Sequence, residues 1–156
     1  MPEATRIADQ LRRAFDGEAW HGDSLLEILE GVTAAQAAAR PIASAHTIWE
    51  LVLHIAAWDG AALRRLGGAA VELGDEENFP PVPDVSDAAW HRATAQLRNT
   101  HQDLVAAVVD LPDARLFEMV PGKHGAHYTF YYMLHGVVQH ELYHAGQIAL
   151  LKKASQ

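Results

Sequence analysis

Two histidines four residues apart constrain this chain more than any other feature. His140 and His144 lie in the run 134–153, LHGVVQHELYHAGQIALLKK, which has no proline and mostly good helix formers. On a helix that spacing puts both imidazoles on one face, about one turn apart, as a pair of metal ligands requires. Two ligands do not make a site, so the helix must pack against another that supplies a third. Glu141 completes H-E-x-x-H, a motif that on a helix carries two zinc ligands and a general base.

The remaining sequence predicts the helices such a site needs. Ile7, Leu11, Ala14 and Phe15 recur at helical spacing over 3–16, with Gly17 as a stop. A second helical piece over 25–30, capped by Asp23 or Ser24, either stands alone or continues the first after a kink, and Thr33 caps a short alanine-rich turn that Pro41 closes. A long helix is expected over 46–66, carrying Ile48, Leu51, Val52, Ile55, Trp58, Ala62 and Leu66, with Ser44 or Thr47 at its start. Residues 67–85 collect glycine, acidic residues and three prolines and read as an irregular surface connection, long enough to expect function or mobility. Ser86 caps a third long helix through Trp90, Leu97, His101, Leu104 and Val108, and Pro121-Gly122 marks 113–127 as a small hairpin or extended loop. The closing helix starts near Tyr128. Four long helices sharing one core predict an all-α four-helix bundle, with residues 1–156 as a single domain.

The third ligand must then face inward from a neighbouring helix. His54, between Leu51 and Trp58, is the first choice, and His101, between Leu97 and Leu104, the second. His135 is rotated about 140° from His140 and packs elsewhere. A protease of the H-E-x-x-H type takes its third ligand downstream, yet AGQIALLKKASQ holds no His, Asp or Glu. Glu141 remains a candidate base or a solvent-facing residue, because one helical step turns it about 100° from His140. Gln147 stands where it can bond a ligand imidazole or a loop. Trp58, Trp90, Met133 and Val137 are assigned to packing, and Gly136 and Gly146 to close helix approach. His21, His46, His91, His124 and His127 are expected at the surface or mouth, the last two at the site entrance.

The segments AWHG (19–22), ELVLHIAAW (50–58) and HELYHAGQI (140–148) resemble the DinB-like (DNA-damage-inducible) superfamily of metal-binding four-helix bundles, related to bacillithiol transferases and mycothiol-dependent maleylpyruvate isomerases. The resemblance covers nearly the whole chain. It implies a metal triad of His54, His140 and His144, the set that spacing also selects. It further implies a divalent ion, zinc or nickel first, a homodimer, and a helix order unlike the simplest up-and-down bundle.

Three imidazoles leave a divalent ion with an open position, which can activate water or stabilise a thiolate. The chain has no cysteine, so a thiol nucleophile must arrive as a small-molecule cosubstrate. The leading expectation is therefore a metal-dependent thiol S-transferase. A metal-dependent hydrolase and a non-enzymatic metal-binding stress-response protein remain open beside it. Convergence of Tyr143, Gln147, His101 and the mouth loop on the ion would favour an enzyme. Twelve basic against 20 acidic residues, a formal charge of −8, argue against nucleic acid and anionic membranes as partners. The N-terminal segment lacks a signal-peptide apolar run, and the expected location is the cytoplasm.

Overall fold

The computed structural model describes residues 1–122 and 127–155. Seven α-helices are present among them: α1 (Glu3–Phe15), α2 (Leu25–Leu29), α3 (Ala34–Ala38), α4 (Ile48–Leu66), α5 (Asp75–Asn78), α6 (Asp87–Val109) and α7 (Phe130–Ala154), with a 3-10 turn at Asp113–Phe117. The four long ones are α1, α4, α6 and α7. Local chemistry sets their starts. Thr47 accepts from the Glu50 backbone N–H while the Glu50 carboxylate takes that of Thr47, a reciprocal cap on α4. Ser86 and Thr129 cap α6 and α7 in the simpler way, accepting from Ala89 and Tyr132. The α2 piece is separate from α1 and does not continue it.

The long helices alternate in an unusual order. One apolar cluster combines α2 and α3 with Phe15 of α1, the first half of α4 to Ala56, α6 to Leu97, and α7 from Ala145. The other combines the start of α1 with α4 from Ala62, α6 from Leu104, and α7 to Val137. Thus α4 and α6 run from the first cluster to the second, whereas α1 and α7 run the opposite way, giving up-down-down-up. Consecutive helices in the same direction need a return along the bundle. That is the physical reason for the long stretch between α4 and α6: α4 has 19 residues, about 28 Å at the helical rise, and the chain must retrace that length before α6 begins. The expected irregular connection is found, but it contains the short α5.

For the small hairpin or extended loop expected over 113–127, the described residues show the 3-10 turn at Asp113–Phe117 followed by an antiparallel pairing. Val120 donates to the Tyr128 carbonyl and Phe130 to that of Glu118, flanking one antiparallel bridge between Met119 and Thr129. The Asp113 carboxylate in the preceding turn accepts from the backbone N–H groups of Glu3 and Ala4 at 2.9 and 3.0 Å, capping α1, whose preceding Pro2 offers no side-chain cap. Among the described residues no helix is long and apolar enough to cross a membrane.

Candidate metal centre

His54, one turn before Trp58 on α4, meets His140 and His144 of the antiparallel α7. One ring nitrogen from each lies within 4.8 Å of the other two. Two of the rings are oriented from behind. His54 Nδ1 donates to the Asn78 carbonyl at 2.7 Å, and His144 Nδ1 to Gln147 Oε1 at 2.6 Å, so each keeps its Nε2 lone pair for the shared space. Gln147 thus bonds a ligand-candidate imidazole. Phe79 stacks on His54 at 4.2 Å, and its other face carries His46 at 3.8 Å.

His140 is the informative ring. Its Nε2 is 2.9 Å from His54 Nε2, and its buried Nδ1 has no hydrogen-bond partner among the described residues. With the proton on Nε2 it donates to His54 and leaves Nδ1 bare. With the proton on Nδ1, two lone pairs face each other. No tautomer satisfies both nitrogens, whereas a cation between the Nε2 atoms relieves the second arrangement, so the donor set fits a divalent ion. Burial holds His54 and His144 below the ordinary imidazole range. Burial and the neighbouring His144 and His54 press His140 down to about 3. All three are therefore neutral at neutral pH, with no proton to expel before binding an ion.

The triad opens into a pocket of about 530 Å³ between α4 and α7. Trp58, Ala62, Met133 and Val137 form its apolar walls, with Tyr143 beside His144 and with Arg65 and Tyr128 further along. Trp58, Met133 and Val137, assigned to packing from their spacing, thus face this space, and Trp58 is fixed there by donating Nε1–H to Asn78 Oδ1 at 2.8 Å. Gly136 also lines it. Close helix approach explains neither Gly136 nor Gly146, since a Cβ on either meets no atom within 4 Å. Tyr143 is 65% exposed, at the rim.

Glu141 and His101 lie elsewhere. Glu141 does not face solvent: it is fully buried, and its carboxylate is grouped with Asp59 and His101 rather than with the three imidazoles. The rotation of one helical step from His140 carries it to the interior face of α7. His101 Nδ1 lies 2.8 Å from Glu141 Oε1 and 3.2 Å from Asp59 Oδ2, its ring stacked on Phe15 at 3.8 Å. It does not line the pocket, contrary to expectation, because the apolar stripe of α6 turns it into the core. Burial alone would lower the His101 pKa, but the hydrogen bond to Asp59 and the Glu141 carboxylate at 2.8 Å outweigh it and hold the imidazolium up to about 9. Burial, reinforced by Asp59, pushes Glu141 up to about 8, and burial also raises Asp59.

Sequence reasoning missed Asn78, Phe79, Asp59 and Arg65. The first two come from the crossover connection, where no periodicity points. Asp59 left a signal, a carboxylate among the apolar positions of α4. His127 is exposed at its end of the chain's last connection, and His124 lies outside the described residues.

No curated protein and no solved structure matches the chain. The family model described as the DinB superfamily matches residues 19–148, a stretch that includes all three histidines of the cluster, and the chain belongs to that superfamily.

Proposed function

We propose that His54, His140 and His144 bind one divalent ion, zinc or nickel, and that the protein is a metal-dependent transferase acting with a small-molecule thiol. The observation that carries this reading is the conjunction of three neutral, converging imidazoles with an apolar pocket that, among the described residues, is lined by no carboxylate. Such an ion, when bound, would hold a thiol as its thiolate at neutral pH and so supply a nucleophile. The chain's own residues position it. Asn78 and Gln147 fix two rings, Phe79 and Trp58 shield His54 on two sides, and Trp58, Met133 and Val137 give an attacking sulfur an apolar wall. Thiolate attack needs no general base, which matches a pocket whose nearest expected base, Glu141, is engaged with His101. A hydrolase would have more use for one.

The test has two stages. Elemental analysis of the purified protein should give one divalent ion per chain, and metal-loaded protein should then conjugate a low-molecular-weight thiol to an alkylating electrophile, with turnover lost on chelation. Ester cleavage that needs metal but no thiol would replace this reading with hydrolysis. Metal binding without turnover on either substrate class would leave a metal-binding module.

A further inference from the structure

We propose that Arg65 and Tyr128 form an anion subsite at the far end of the histidine pocket, and that the small molecule reacting there is a carboxylate with an apolar or aromatic body. The substrate class rests on the reading of the three histidines as a metal site; the anion subsite can be tested without it.

Arg65 is 7% exposed, so most of the side chain is withdrawn from bulk water. A buried charge is retained where something compensates it. Among the described residues no carboxylate comes within ion-pair distance of Arg65. Its partners are neutral. Nε and Nη2 donate to the Val71 carbonyl at 3.1 and 2.7 Å, and Nη1 makes a long bond of 3.4 Å to the Tyr128 hydroxyl. A guanidinium has five N–H groups. These contacts use three of them and leave one on Nη1 and one on Nη2 as terminal donors for an anion. The Tyr128 hydroxyl accepts from Arg65 and keeps its own proton to donate to the same anion.

Position makes this a substrate subsite rather than a stray surface charge. Arg65 and Tyr128 line the same cavity as the three histidines. Because α4 and α7 are antiparallel, Arg65 and Tyr128 mark one end of it and His54, His140 and His144 the other. Trp58 bridges the ends: the Arg65 guanidinium carbon is 5.6 Å from its ring centre, and the His140 ring centre is 6.0 Å from that of Trp58. Laid end to end, those distances cap how far the Arg65 guanidinium carbon can lie from the His140 ring centre. They suit a small organic acid whose body lies along Trp58, Met133 and Val137.

The probes are 4-mercaptobenzoate and its neutral analogue 4-mercaptobenzamide, titrated by calorimetry into the full-length protein, first metal-free and then loaded with cobalt(II). The metal-free wild-type protein should bind the carboxylate at least tenfold more tightly than the amide. Arg65→Gln should remove that preference, and Tyr128→Phe should reduce it several-fold. Equal binding of the two probes to the wild type overturns the proposal, as does a preference that survives Arg65→Gln. Since Arg65 also tethers Val71, Arg65→Gln is read only if its far-ultraviolet circular dichroism matches the wild type; if it does not fold, the wild-type comparison and Tyr128→Phe decide. Failure of the histidine reading has a different signature: no cobalt uptake and no sulfur-to-cobalt absorption, with the carboxylate preference of the metal-free protein intact.

Discussion

His54, His140 and His144 on one side, and Asp59, His101 and Glu141 on the other, are two clusters assembled largely from the same helices. His54 and Asp59 share α4, and His140 and Glu141 are neighbours on α7. Yet the first cluster lines a cavity, and the second lies between the two apolar clusters of the core with exposures of 0–2%. Their proton affinities diverge accordingly. Burial without an acid at hand, and then the neighbouring His144 and His54, take His140 down to about 3. One imidazole between two acids holds its proton to about 9, while Glu141, raised to about 8, keeps one of its own. The buried set thus approaches neutrality with protons already inside, and the open set is neutral with lone pairs facing inward. The same side-chain type, histidine, becomes a structural cation in one place and a neutral lone-pair donor in the other, and the neighbouring acids decide which.

The largest expected effect separates the clusters by function. Replacing His54 and His144 together with alanine should remove stoichiometric metal binding altogether, whereas Asp59→Asn should leave metal content near that of the wild type; elemental analysis reads both. Undiminished metal in the double variant would remove the distinction.

Stability should show the reverse asymmetry. His101→Ala leaves two buried acids without their imidazolium and should cost about 3–5 kcal/mol, the usual penalty for removing one partner of a buried ion pair. Replacing all three members, as Asp59→Leu, His101→Phe and Glu141→Met, should cost far less, since apolar groups of similar volume need no partners. Urea unfolding of metal-free protein measures both. A single variant as stable as the wild type would show that the cluster is not a unit.

The pH dependence sharpens the contrast through opposite slopes. His101, raised above its unfolded value of 6.5, adds stability that is full below pH 6.5 and lost as pH rises through about 9. Glu141 acts in the same direction between 4.5 and about 8, because the folded chain keeps a proton that the unfolded chain releases. His140 acts oppositely: between about 3 and 6.5 the unfolded chain binds the proton that the folded one refuses, so stability rises with pH there. Above pH 6.5 only the falling contributions remain, and metal-free protein should lose on the order of a few kcal/mol by pH 9. Urea midpoints against pH provide the check, and in the triple apolar variant the fall should flatten. A wild-type midpoint that climbs between pH 7 and 9 would contradict the assignment.

What is legible in the amino-acid sequence follows the same division. His54 is within reach because α4 repeats its apolar positions with helical regularity, and that repeat alone orients a side chain toward the core. The caps at Thr47, Ser86 and Thr129 are local, and Thr47 and Ser86 can be named from their neighbours in the chain. What depends on distant chain is not legible. Asp113 caps α1 across more than a hundred residues. Asn78 reaches His54 only because α4 and α6 run the same way and force the chain back over the site. Spacing rotates Glu141 away from His140, but only the placement of His101 on α6 gives it an inward partner. The packing assignment of Trp58 is incomplete for a related reason: periodicity separates inside from outside and does not distinguish a filled interior from a pocket wall.

The smallest effect probes that last distinction, and two glycines frame it. Gly60 follows Asp59 on the packed side, where an added Cβ would sit 3.6 Å from Thr100 Cγ2; Gly136 lies on the pocket side, where it would meet nothing within 4 Å. Alanine at either position should stabilise by about 0.5–1 kcal/mol, the ordinary gain of alanine over glycine within a helix. Leucine should divide them. At Gly136 it has open space to enter, so folding and metal content should be kept while 4-mercaptobenzoate binding falls at least tenfold as the side chain fills the cavity. At Gly60 it has α6 in front of it, and overpacking should cost about 1–3 kcal/mol. Thermal unfolding and calorimetry on the four variants read these outcomes. If Gly136→Leu binds the probe as the wild type does, the space beside Trp58 is not where the ligand lies, and the difference between the open and packed faces of α4 and α7 would have to be drawn without a substrate in it.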